Sequence, residues 1–196
     1  PATFRSNKKS IATVSENGTI TAKKPGTAII TATVDKTAAS CTVTVKKPTV
    51  TLSKNSISMY RNGKFRLTVK STSKSIPKWK SNKKSVATVD SNGLVTAIKN
   101  GVAAITVTVD GVAKSCKITV RKPTVKFSES EITMAVGEKK KVSVAVSSGN
   151  QPAFSSSNTS IASVDENGVV SANDTGKAYI YAKEDGTKSR MRVTVK

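Results

Sequence analysis

The sequence repeats itself with a period of 75 residues, and this recurrence constrains the fold more than any other feature. The segment SIATV at 10–14 returns as SVATV at 85–89 and as SIASV at 160–164. A fixed period of this kind indicates an array of small modules that stack along the chain. The period predicts a partial repeat at 1–46 followed by complete repeats at 47–121 and 122–196.

Each repeat has the apolar pattern of short strands. In the middle repeat Phe65, Leu67 and Val69 alternate with polar residues, as do the apolar residues of 103–109, and no stretch has a helical period. Asn92-Gly93 and Asp110-Gly111 separate such runs, which is typical of hairpins with type I′ turns. About seven strands with one apolar face each predict two sheets packed face to face. We therefore expect an all-β chain without a helix longer than a turn or two.

The residues resemble a known family. SVATVDSNGLVTAIKNGVAAITVTVDG at 85–111, with SCKITV at 115–120, is similar to the bacterial immunoglobulin-like domain, group 2, and so is SIASVDENGVVSANDTGKAYIYAKEDG at 160–186. The resemblance implies tandem immunoglobulin-like β-sandwiches. Relatives occur in intimin- and invasin-type adhesins and in cell-wall and secreted proteins of Gram-positive bacteria, mostly as stalks and spacers. Glu184 departs from the pattern, because Val34 and Val109 stand at the equivalent positions.

Two sets of equivalent residues are expected in the cores of the three repeats. The aromatic set is Phe4, Trp79 and Phe154, and the set near the end of each repeat is Cys41, Cys116 and Met191. Both cysteines share parity with neighbouring valines and isoleucines, so we expect them to point inward as small hydrophobic residues. Equivalent points in neighbouring modules lie on the order of 30 Å apart. A disulfide between them is therefore not expected, since its Cα atoms must approach within about 7 Å.

Positive charge is the one feature that exceeds what folding requires. The chain carries 33 Lys and Arg against 12 Asp and Glu, a net charge of +21. Residues 47–121 hold 15 of these cations against 2 acids, which gives +13 for the middle repeat alone. The candidate residues for binding a polyanion are Lys74, Lys78, Lys80, Lys83 and Lys84. A solvated surface kept soluble by like charge is the competing interpretation.

Composition argues against catalysis. The chain has no histidine, the commonest general base and metal ligand. We therefore predict no catalytic residue, no metal and no cofactor. Asp90 and Asp165 precede tight turns and are interpreted as turn residues, with a weak calcium site as the alternative. No apolar run reaches the roughly 18 residues of a membrane span, and no signal peptide is visible.

Three functions fit these features. The first is a non-catalytic stalk or spacer, a semi-rigid rod outside a bacterial cell, because Pro48 and Pro123 follow directly after the last strands and leave almost no linker. The second is a binding module for an anionic cell-wall polymer or host glycan. Nucleic acid is disfavoured, because few aromatics are present to stack on bases. The third is an accessory region of a larger secreted enzyme.

The first repeat is expected to be incomplete. Residues 1–46 lack counterparts of the strands at 49–69, which leaves Ile20 and Ile30 partly uncovered. Chains near 40 residues rarely hold a core unaided. We therefore expect that the protein continues upstream of Pro1. In the chain as given, either another chain should pack against the first repeat, for example by donating a strand, or residues 1–46 should be the least stable part.

Overall fold

The computed structural model describes residues 1–196 and consists of 23 β-strands. The sequence prediction of an all-β fold is thus confirmed. No segment forms a helix that is long and apolar enough to cross a lipid bilayer. The first repeat has five strands, which are β1 Thr3–Ser6, β2 Ala12–Val14, β3 Ile20–Ala22, β4 Gly26–Val34 and β5 Thr37–Val45.

The two complete repeats have nine strands each, in the same order and with nearly the same lengths. Those of the middle repeat are β6 Val50–Leu52, β7 Ser56–Met59, β8 Lys64–Arg66, β9 Val69–Ser71, β10 Lys78–Ser81, β11 Ala87–Val89, β12 Leu94–Ala97, β13 Gly101–Val109 and β14 Val112–Val120. Those of the third repeat are β15 Val125–Phe127, β16 Glu131–Met134, β17 Lys139–Lys141, β18 Val144–Val146, β19 Ala153–Ser156, β20 Ala162–Val164, β21 Val169–Ala172, β22 Gly176–Glu184 and β23 Thr187–Val195.

The chain forms two compact units, and the middle repeat contributes residues to both. The first unit comprises Pro1–Lys54, Leu67–Lys80 and Thr106–Ser115. The second unit comprises Asn55–Arg66, Ser81–Ile105 and Cys116–Lys196. The repeat boundaries at 47 and 122 remain predictions.

The third repeat, which lies wholly in the second unit, shows the sandwich most clearly. One sheet has the order β16-β23-β22-β19, and a second has the order β17-β21-β20. β22 and β23 form a long antiparallel hairpin that pairs Ile180 with Met191. β16 runs parallel to the outer edge of β23 and closes the sheet on that side. Alternate residues of β22 and β23 face inward, as the period-two pattern requires.

The strand expected across Phe65, Leu67 and Val69 is broken in two, and the third repeat shows why. There β17 pairs with β21, whereas β18 pairs with β15. The chain changes partners between them, and Val142, at the break, is 7% exposed. The equivalent Leu67 is 1% exposed. An alternating pattern cannot reveal this change, because the side-chain parity continues across the break.

The two kinds of turn dipeptide behave differently. Asp110-Gly111 and Asp185-Gly186 have positive φ at both residues, 44° and 80° in the first pair and 41° and 81° in the second, as a type I′ turn requires. The type I′ expectation for Asn92-Gly93 was wrong, because only the glycine has a positive φ, 78°. Asp90 closes that turn instead, since its carboxylate accepts hydrogen bonds from the backbone N–H groups of Asn92 and Leu94.

A recurring glycine is required where the long hairpin strand begins. Gly176 has φ 140°, and a Cβ atom there would lie 2.8 Å from Cδ1 of Ile161. A side chain at this position would therefore meet both backbone strain and a steric clash. Gly101 has nearly the same φ, 142°, and a Cβ atom there would lie 3.0 Å from Cγ2 of Val86.

The core of the third repeat contains the expected residues near its centre. Ile180 and Met191 are at most 1% exposed, and Phe154 is half-buried at its edge. In the first unit, Trp79 is also half-buried and packs against a cluster that includes Val50 and Val107. Cys116 is fully buried, and burial raises the pKa of its thiol.

The first repeat differs from the others on its uncovered side. Its sheet has the order β1-β4-β5, so β5 is an edge strand that lacks the parallel neighbour β23 has. The expectation that Cys41 points into a core was wrong: Cys41 is exposed. Ile20 is 41% exposed, whereas Val95 and Val170 at the equivalent positions are fully buried. The expectation that Ile30 is partly uncovered was wrong, because Ile30 is 4% exposed. Phe4 is half-buried. The missing strands explain these exposures, because they supply the cover in the complete repeats.

Candidate functional site

The most specific side-chain chemistry lies where one repeat meets the next. We call the contact of the first repeat with the middle repeat, inside the first unit, the first joint. The contact of the middle repeat with the third, inside the second unit, is the second joint. The same turn contributes to each, Asp110-Gly111 at the first joint and Asp185-Gly186 at the second. The two joints can therefore be compared position by position.

A buried carboxylate organises the second joint. The side chain of Glu184 has no exposed surface, and its Oε1 atom lies 2.9 Å from Nε of Arg61 in the middle repeat. Asn150 donates from its amide to the same carboxylate at 3.1 Å and to the carbonyl of Arg61 at 3.1 Å. Ser148 donates to the other carboxylate oxygen. A buried charge requires this degree of pairing, since an unpaired one is strongly destabilising.

A second set of hydrogen bonds joins the neighbouring turn to the middle repeat. The backbone N–H of Asn100 donates to the Asp185 carboxylate at 2.8 Å, and its side-chain amide donates to the Asp185 carbonyl at 2.6 Å. The second joint is therefore held by hydrogen bonds from several backbone segments.

The first joint is an open cleft of about 620 Å³ that is rich in lysine. Five lysines line it against one aspartate, Asp110. The lysines are Lys23, Lys24, Lys46, Lys47 and Lys74. Within the first unit no ion pair or hydrogen bond joins the first repeat to the middle one. Pro25 stands at the position that Asn100 occupies in the second joint, and proline has no N–H to donate.

Hydrogen bonds hold the loop on the middle-repeat side of this cleft in one conformation. Ser73 donates to the Asp110 carboxylate at 2.5 Å and accepts from the backbone N–H of Ser75 at 3.0 Å. Hydrogen bonds from Ser73 and then Ser75 lower the pKa of Asp110 from its ordinary value of 3.8. Asp110 thus stays ionised at neutral pH, and Lys74 is presented from an ordered loop.

The five lysines proposed from the sequence are all exposed. Lys78 and Lys80 are alternate residues of β10 and share one face of that strand, and Lys83 and Lys84 follow in the next turn. Lys74 alone lines the cleft of the first joint. Four partners of Lys74 were not recognised from the sequence, namely Lys23, Lys24, Lys46 and Lys47. The available signal was the two Lys-Lys pairs beside Pro25 and Pro48.

The aspartates that were considered for a calcium site have a structural role. Asp165, like Asp90, caps a turn through bonds to the backbone N–H groups of Asn167 and Val169. Ser15 takes this role in the first repeat by accepting from Thr19. No group of three or more His, Cys, Asp and Glu residues is arranged to hold a metal ion.

Comparison with known families agrees with this architecture. Residues 47–120 and 123–195 each match the bacterial Ig-like domain (group 2), and residues 1–47 match the related bacterial Ig-like domain. The chain therefore belongs to the bacterial Ig-like domain family, group 2. No curated protein sequence matches the chain.

Among solved structures, a tandem of Ig-like domains has the same fold. The I9-I11 tandem from titin matches the whole chain over 88% of its own length, with a TM-score of 0.56 and 11% identity, which confirms tandem Ig-like repeats. The S-layer protein SbsC also matches the whole chain, at 22% identity and a TM-score of 0.34, and the chain spans 35% of its length. An intimin mutant of EHEC O157:H7 matches 43% of this chain and 51% of its own, at 22% identity and a TM-score of 0.33.

Proposed function

We propose that the chain is a non-catalytic spacer of a bacterial surface or secreted protein, which presents another domain or supports adhesion. The observation that carries this proposal is the second joint. A spacer must transmit position and force from one module to the next, and the paired carboxylate of Glu184 ties the third repeat to Arg61 of the middle repeat. Membership of the bacterial Ig-like family supports an extracellular location, since relatives occur in adhesins and cell-wall proteins.

Stretching the chain between its ends tests the spacer role. Two complete 75-residue repeats should unfold in separate steps, each releasing about 25 nm of chain at roughly 3.3–3.6 Å per residue. Arg61→Ala should reduce the force of at least one step, whereas Lys140→Ala, which removes an exposed ion pair with Glu129, should leave the forces unchanged. Smooth extension without steps would contradict a mechanical role.

Protease treatment of intact cells tests the location. If the repeats lie outside the cell, an added protease should remove an epitope placed in them while a cytoplasmic marker stays intact. Protection of the epitope equal to that of the marker would overturn the extracellular assignment without bearing on the mechanical test.

A second candidate function, binding of an anionic cell-wall polymer or host glycan, is favoured by the exposure of all five candidate lysines of the middle repeat. Exposed lysines attract polyanions over a distance of about 8–10 Å at physiological salt. Binding of this kind would be lost steeply as the salt concentration rises.

A further inference from the structure

We propose that the lysine-lined cleft of the first joint is a binding site for a flexible linear polyanion, such as a polyol phosphate. The site brings together Lys23 and Lys24 of the first repeat, Lys46 and Lys47 of the connecting segment, and Lys74 of the middle repeat. The proposal rests on the second candidate function above and is independent of the spacer role.

The second joint shows that the fold does not require a cation at two of these five positions, whereas Lys99, Arg121 and Lys122 keep one at the other three. Ile98 stands where Lys23 would be, and Gly149 stands where Lys74 would be. The second joint compensates its cations with Glu184 and Asp185, whereas the first joint sets a single aspartate against its five lysines. An uncompensated cluster of like charges is unfavourable in the free protein, so a bound anion would relieve it.

The segments that carry the lysines are ordered before any ligand arrives. The backbone N–H groups of Lys23 and Lys24 both donate to the carbonyl of Ile11, at 2.8 and 3.3 Å. On the other side, the loop of Lys74 is fixed by the bonds of Ser73 to Asp110 and Ser75. Pro25 and Pro48 restrict the chain further. A ligand would thus order lysine side chains only, which lowers the entropic cost of binding.

The lining residues indicate the class of ligand. Apart from the lysines and Asp110, the cleft is lined by small residues, two prolines and the hydroxyl groups of Thr72, Ser73 and Ser75, with no aromatic residue and no arginine. Nucleobases need aromatic platforms, and planar groups are best recognised by the fork of arginine. Lysines act as point charges. They suit a chain of repeated phosphate or sulfate groups that carries no bases.

Two variants with the same loss of charge test this site in the full chain. The cleft variant is Lys23→Gln, Lys24→Gln and Lys74→Gln. The face variant is Lys78→Gln, Lys80→Gln and Lys83→Gln. The probe is poly(glycerol phosphate), titrated at several salt concentrations, with a sulfated glycan and single-stranded DNA as comparison ligands. Circular dichroism and thermal unfolding establish that both variants remain folded.

We expect the cleft variant to bind poly(glycerol phosphate) roughly tenfold more weakly, the scale of a few exposed ion contacts. The negative slope of log affinity against log salt should become shallower by about 2–3, near one for each lysine removed. The face variant should lose less than threefold. Tighter binding of the sulfated glycan than of poly(glycerol phosphate), with the same loss in the cleft variant, would confirm the cleft as the site and assign a different polymer as its ligand.

Three results would overturn the cleft site. Equal losses in both variants would mean that binding follows net charge alone. A loss confined to the face variant would move the site to β10 and leave the second candidate function intact. No binding of the unmodified chain to any polyanion at low salt would remove the site and the second candidate function together, with the mechanical test of the spacer role unaffected.

Discussion

The two joints use the same turn of the same fold and differ in what the neighbouring repeat offers to it. At the second joint, Asp185 accepts one hydrogen bond from the backbone N–H of Asn100 and another from its side-chain amide. The carboxylate of Glu184 is buried against Arg61. At the first joint, Pro25 replaces the donor, and Val109, which is 1% exposed, stands where Glu184 would be. A few substitutions on one scaffold thus separate a hydrogen-bonded joint from an open, basic one.

The largest effect should come from removing the partner of the buried carboxylate. Arg61→Ala leaves Glu184 buried with only Asn150 and Ser148 as partners, and should cost roughly 3 kcal/mol, the lower end of the range for breaking a buried pair. The measurement is denaturant unfolding of the full chain, recorded with a spectroscopic signal that reports on the third repeat. Arg61→Ala combined with Glu184→Val should recover much of this loss, because Val109 shows that the fold accepts valine there. A double variant as unstable as Arg61→Ala alone would show that the charge pair is not the cause.

The second-largest effect should come from placing a proline at the second joint, as Pro25 stands at the first joint. Asn100→Pro removes the backbone and side-chain donors to Asp185 and should cost about 1–3 kcal/mol for the two bonds. Pro25 occupies the equivalent position, so the backbone should accept proline. Asn100→Ala retains the backbone N–H and should lose about half as much. Equal losses for Pro and Ala would mean that the backbone bond contributes nothing.

The reverse exchange should have a smaller effect. Pro25→Asn supplies the missing donors opposite Asp110 and should stabilise the first repeat by at most about 1 kcal/mol, the net worth of one hydrogen bond. Hydrogen exchange of β4 is the measurement, with β22 of the third repeat as an internal reference. Faster exchange of β4 in the variant would show that the rigidity of proline matters more than the new donors.

The smallest effect concerns the titration of Asp110. Ser73→Ala removes the first of the two hydrogen bonds that lower its pKa, so the pKa should rise toward 3.8. Because the folded-state pKa is depressed, the stability that Asp110 contributes is present above pH 3.8 and is lost as pH falls through the folded-state value. The variant should lose part of this contribution. Titration of the carboxyl carbon by NMR gives the pKa, and an unchanged value would assign the shift to Ser75.

Sequence patterns predicted the strands and the repeat well, because both depend on alternation and on equivalent positions. The outcome for Cys41 shows the limit. Its parity matches that of Cys116, but burial depends on the strand that covers it, and β5 has no parallel neighbour. The Asn92-Gly93 turn shows another limit. The dipeptide predicts a two-residue turn, but the Asp90 carboxylate accepts from the backbone N–H of Leu94 and closes a longer one.

The joints were less accessible to prediction than the strands. Glu184 stood out in the sequence as a departure from two valines, but its partner Arg61 lies 123 residues earlier and has Val136 as its equivalent. No pattern with a 75-residue period can pair such residues. Lys74 was identified as part of a charged surface, but its grouping with Lys23 and Lys47 depends on how the first joint is folded.

Distances across each joint test the central comparison most directly. Spin labels at residues 16 and 80 span the first joint, and labels at the equivalent residues 91 and 155 span the second. Cys41→Ser removes the exposed thiol from the background, and buried Cys116 stays unlabelled. We expect a single narrow distance distribution for 91/155 that broadens in Arg61→Ala, and a broader distribution for 16/80 that Arg61→Ala leaves unchanged. Equal widths for the two pairs, or no response of the 91/155 pair to Arg61→Ala, would contradict a second joint held by the Glu184 carboxylate.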